Sequence, residues 1–82
     1  SLSNAVQVFP NPTSGKVTIQ NNSAAKLTNA QVYSVSGQFI RSFTLDKAAK
    51  SSIIDLSTFA KGTYVIKVNS DSESTSVKVI KK

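Results

Sequence analysis

The chain has 82 residues and a formal net charge of +6, from ten Lys and Arg against four Asp and Glu, and it contains no His, Cys, Met or Trp. That length holds one domain, burying about 60–65% of the surface its unfolded chain exposes. The missing Cys and His exclude disulfides, Ser-His-Asp and Cys-His chemistry and the usual zinc sites, and no apolar run approaches the roughly 18 residues of a membrane span.

Nine Val and six Ile against four Leu suit pleated sheets better than helices, so the expected fold is all-β. Residues 1–5 are small and polar and read as the stub of a linker, leaving 6–82 as the domain. Ala5 to Phe9 is the first expected strand, with Val6 and Val8 on one face and Phe9 turned away. Pro10-Asn11-Pro12-Thr13-Ser14-Gly15 must end it: each proline removes an amide donor and biases the residue before it towards extended backbone, and Gly15 is free to take positive φ. Lys16 to Gln20 follows as a strand with Val17 and Ile19 inward. Asn21 to Leu27 is a polar connection whose Asn21-Asn22-Ser23 fits a glycosylation sequon, a pattern too short to carry weight.

Ala30 to Val35 and Gln38 to Leu45 form an expected hairpin across Ser36-Gly37. Phe39, Phe43 and Leu45 share a parity there, while Ile40 and Tyr33 do not, which calls for either a bulge or burial on both faces. Asp46 to Ser51 is too short for an independent helix and reads as a loop. Ser52 to Leu56 is a fifth strand, and Phe59 anchors the link that follows it. Lys61 to Asn69 and Thr75 to Lys82 are the clearest pair: β-branched and aromatic runs flank Ser70-Asp71-Ser72-Glu73-Ser74, with Tyr64, Ile66 and Val68 on one face and Val77 and Val79 repeating the pattern. Lys81 and Lys82 lie beyond that apolar pattern, so their removal is expected to spare folding. Six to seven short strands about ten residues apart describe an Ig-like antiparallel β-sandwich.

Little in this inventory can do chemistry. Asp71 and Glu73 stand two apart in a loop where solvation explains them better than calcium or an acid pair, and Gly15, Gly37 and Gly62 fall one to a turn rather than in a phosphate loop. The basic residues are scattered singly apart from Lys81-Lys82, which argues against specific nucleic-acid binding. No enzymatic activity, metal or cofactor is expected.

Laid end to end, Phe9-Pro10-Asn11-Pro12, the Val32 to Gln38 turn, Asp55-Leu56-Ser57 with Phe59, the Lys61 to Val68 strand and Val77 to Lys81 closely resemble the C-terminal sorting domain of type IX secretion cargo from Bacteroidetes. Phe9 stands where Tyr is often found before Pro-Asn-Pro, and Ser34 where the family is often acidic. The resemblance implies a folded secretion signal at the end of a larger cargo. Such cargo crosses the inner membrane by a separate signal, is recognised in the periplasm by the outer-membrane translocon, and is released to the surface by a sortase-like peptidase. From the scattered basic residues and the short apolar runs, neither a nucleic-acid partner nor membrane insertion is expected. By position, the sorting-signal candidates are Pro10, Asn11, Pro12, Gly37, Gly62, Tyr64, Val77, Lys78, Val79, Lys81 and Lys82. The competing reading is an accessory β-sandwich that binds carbohydrate or a cell surface. Against it, there is no Trp and only Tyr33 and Tyr64 could offer a sugar platform.

Overall fold

A computed structural model describes residues 2–82, with Ser1 outside the described residues. Seven strands form: β1 (Val6–Phe9), β2 (Lys16–Asn21), β3 (Leu27–Ser34), β4 (Phe39–Thr44), β5 (Ser51–Asp55), β6 (Gly62–Ser70) and β7 (Ser74–Lys81). All pair antiparallel in two sheets, of order β1-β2-β5 and β4-β3-β6-β7. The chain is therefore a β-sandwich with an Ig-like exchange of strands between sheets, in which β4 pairs with β3 in the larger one.

Alternation along the strands decides what lies between the sheets. Val17 and Ile19 of β2, Ala30 and Val32 of β3, and Ile66 and Val68 of β6 are all sealed from solvent, while their sequence neighbours face out. Val8, Phe43, Phe59 and Val77 pack against this core from its margins.

Four features depart from what the sequence suggests. From Leu2 onward the stretch expected to be linker is instead packed on the domain: Leu2–Asn4 makes a 3-10 turn and the Leu2 side chain, 1% exposed, lies in the core. β3 begins at Leu27, three residues early, because buried Leu27 belongs to the same inward face as Ala30 and Val32 once a register shift between Leu27 and Asn29 is taken up. The Phe39 parity fails because the β3–β4 ladder slips by one between Val32 and Tyr33. Ile40 is the extra residue, Phe43 and Leu45 stay against the core, and Phe39 is turned out beside Tyr33. Finally, Gly15 has no positive φ; it is buried, and a Cβ there would stand 3.4 Å from Ser57 Cβ, at ordinary van der Waals contact, so neither backbone conformation nor close approach demands glycine there.

Lys81 is a further correction. It is 8% exposed and pairs with Gly62 as the last inward position of β7, following Val77 and Val79. Its methylenes pack inward while the ammonium donates to the Lys82 carbonyl oxygen at 3.0 Å, so the charge escapes the core along the strand. The Lys82 N–H also bonds within the fold, to Thr13 O at 2.9 Å, so the two lysines are part of the folded edge rather than charges beyond it, and their removal deletes a buried side chain and this bond.

Candidate functional site

The segment from Pro10 to Thr13 leaves β1 in the smaller sheet and crosses to β7 at the edge of the larger one. Prolines at 10 and 12 have no N–H, so the backbone there cannot continue a ladder, and both of the X-Pro bonds are cis. The Asn11 side chain supplies what the backbone lacks. Its Nδ2 donates to Lys78 O at 2.8 Å and its Oδ1 accepts from the Ile80 N–H at 3.0 Å, so one carboxamide occupies the place of a peptide group in a neighbouring strand. Thr13 completes the strap. Its N–H donates to Ile80 O at 2.9 Å, its carbonyl accepts from Lys82 N–H, and it forms an isolated parallel bridge with Lys81. The buried Thr13 hydroxyl donates to Lys16 O at 2.7 Å and accepts from Gly15 N–H at 3.1 Å, which ties the strap back to β2. The edge of β7 from Lys78 to Lys82 is thereby covered.

The other side of β7 carries the next candidates. Gly62 pairs with Lys81 and Tyr64 with Val79. The Tyr64 ring is buried, meets Phe59 edge to face at 5.4 Å, and its hydroxyl donates to Ala60 O at 2.6 Å. A tyrosine at the start of the sixth strand bonding back to the backbone just upstream is the tyrosine corner of Ig-like sandwiches. Gly62, with φ +154°, opens this strand, and Gly37, with φ +95°, turns β3 into β4; neither conformation suits a side chain. Gly37 lies at the same end of the sheet, since the Ser34 that its N–H bonds is paired with Tyr64.

Ten of the eleven candidates therefore lie at one end of the four-stranded sheet or on the strap that closes it, although Pro10–Pro12 and Lys78–Lys82 are almost the whole chain apart. Val77 is the exception. It sits further along β7 opposite Ile66, partly buried against the core. Thr13 and Ala60 were not foreseeable as partners, because a main-chain acceptor leaves no mark in sequence and the Thr13 role depends on the crossing.

Among the described residues, no three groups of metal-ligating type come together and no pocket forms. Asp55, at the end of β5, is held below the usual carboxylate range by the Ser57 N–H, which donates to its Oδ1 at 2.9 Å, then by the Ser57 hydroxyl and by Lys16 across the ladder. It fastens a turn in full solvent.

The sequence profile of the secretion system C-terminal sorting domain matches residues 7–82. The chain belongs to that family. No match is found among the curated proteins compared with it. The sorting domain is a type IX secretion signal, from a family of signals rather than enzymes, and it directs the protein that carries it to the cell surface or beyond.

Proposed function

We propose that the strapped end of β7 is the element by which the outer-membrane translocon recognises this sorting domain in the periplasm, before a sortase-like peptidase separates it from an upstream cargo that becomes attached to the surface. The observation that carries the reading is the bidentate Asn11 contact with Lys78 and Ile80. It joins the two most separated pieces of the candidate signal into one surface that exists only in the folded domain. The signal is then a shape rather than a linear tag, and Pro10, Asn11, Pro12, Gly37, Gly62, Tyr64, Val77, Lys78, Val79, Lys81 and Lys82 act as its parts.

The accessory carbohydrate-binding reading fares worse. Tyr64 is buried with its hydroxyl engaged, and Tyr33 meets Phe39 edge to face at 5.6 Å rather than presenting a flat stacking platform.

The test fuses a reporter ahead of the domain in a type IX-competent bacterium and measures reporter in the medium and on the surface against reporter held in the periplasm. Deletion of Val77 to Lys82 is expected to retain the reporter inside, and normal export of that deletion would overturn the proposal.

A further inference from the structure

The outer face of the four-stranded sheet is unevenly built. Ladder register sets Phe39, Tyr33, Val65 and Lys78 side by side across all four strands, with Ile80 opposite Thr63 one step further along. Val35 at 65%, Phe39 at 52%, Ile40 at 43% and Ile80 at 47% exposure all belong to this end of the sheet, whereas Phe9 and Ile53 lie on the other sheet. The neighbouring row is Ser42, Gln31, Lys67 and Ser76, and the one after it is Thr44, Asn29, Asn69 and Ser74. Apolar side chains are thus gathered at one end and replaced by small polar ones towards the other.

Charge is sorted along the same axis. Asp46 follows the far end of β4, and Asp71 and Glu73 lie in the β6–β7 loop at that same far end, where Lys47 meets Asp71 at 3.8 Å. Asp55 belongs to the other sheet, opposite Lys16. These four are all the Asp and Glu of the chain, so this face carries Lys67 and Lys78 and no side-chain acid. Exposed apolar surface that is contiguous, and framed by one sign of charge, marks an interaction site rather than ordinary surface.

We infer that this face docks a protein partner whose contact surface is apolar and rimmed with carboxylates. The inference rests on the sorting reading above and names the chemistry of the translocon surface that the domain would meet. A lipid surface fits the geometry less well. Tyr33, Phe39 and Val65 share one ladder row with Lys78, on one face with it, whereas an interfacial anchor buries its apolar face about 5–10 Å into the headgroup boundary and keeps its cations on the opposite face. The patch also adjoins the strap, since Ile80 stands on its outer side while its own N–H is held by Asn11.

The experiment measures binding of this domain to purified outer-membrane translocon in detergent, across a salt series, and to phosphatidylglycerol vesicles. Circular dichroism melting keeps only variants that remain folded. Phe39→Ser and the pair Lys67→Glu with Lys78→Glu are expected to weaken translocon binding about tenfold or more, while Ile53→Ser on the opposite sheet changes it by less than about twofold. Binding by the wild-type domain should also weaken as salt rises. If the domain binds the translocon with undiminished affinity in all of these variants, this face is not the contact and the sorting proposal stands without it. If the wild-type domain does not bind at all, the sorting proposal fails and takes the inference with it. If the same variants abolish binding to vesicles and leave the translocon untouched, the partner is lipid and the inference is overturned.

Discussion

Tyr64 shows how one residue can be both legible and misleading. Its alternation with Ile66 and Val68 places the ring inward from sequence alone, yet its strongest tie is the hydroxyl bond to Ala60 O, which no pattern announces. Tyr64→Phe keeps the packing against Phe59 and leaves Ala60 O to find water, so it should lower unfolding free energy by about 0.5–1.5 kcal/mol, measurable by urea denaturation. Unchanged stability would mean that the corner bond contributes nothing. Lys81 is ambiguous for the opposite reason: parity with Val77 and Val79 puts it inside, charge argues for solvent, and only the strand's exit beside Lys82 lets both be true. Asp55 gives a pH signature. Its folded-state pKa lies below the unfolded value near ~3.9, so its stabilisation is fully present above that pH and is lost as pH falls through the lower, folded value. The melting-temperature gap between wild type and Asp55→Asn should accordingly be constant from neutral pH down to about 5 and close in more acid solution. A gap that persists unchanged at pH ~2 would contradict the Ser57 and Lys16 account.

At the scale of elements, the strands were readable and their edges were not. β-branched and aromatic runs between turn signals located the strands, and alternation gave the inward face of β2 and β6, whereas β4 is exposed along most of its length and its parity misleads. What alternation cannot show is how an edge is finished. Pro10-Asn11-Pro12 reads as a chain terminator, and it is one, but it also covers an edge 67 residues away, because a side-chain amide can stand in for a backbone that the prolines have disabled. The β4 bulge at Ile40 was visible only as a conflict of parities; deciding it needed the Tyr33–Phe39 pairing. The strap makes a local prediction. Asn11→Ala frees the Ile80 amide and leaves the β3–β6 ladder intact, so native-state hydrogen exchange should speed up at Ile80 while the amide of Ile66 keeps its protection. Equal acceleration at both would show that the strap stabilises the whole sandwich rather than one edge.

For the molecule as a whole, the two sheets do little chemistry and a great deal of positioning. The sandwich brings opposite parts of the chain to one end, and it leaves that end richer in exposed apolar and basic groups than the loop end where Asp46, Asp71 and Glu73 gather. Fold class could be read from spacing and family from short sequence fragments in order; the surface that they build could not, because it depends on which residues of distant strands fall into one row. The central claim is that sorting reads the folded seam between strap and β7, and not merely the presence of a stable domain. The measurement that separates these is reporter export by Asn11→Ala beside a control variant, Ile54→Val in the core of the smaller sheet, at a temperature where both have the same folded fraction by circular dichroism. The account predicts that Asn11→Ala leaves reporter in the periplasm while Ile54→Val still delivers it to the surface or the medium. Equal export by the two variants would contradict it and would reduce the Pro-Asn-Pro strap to a device for stability alone.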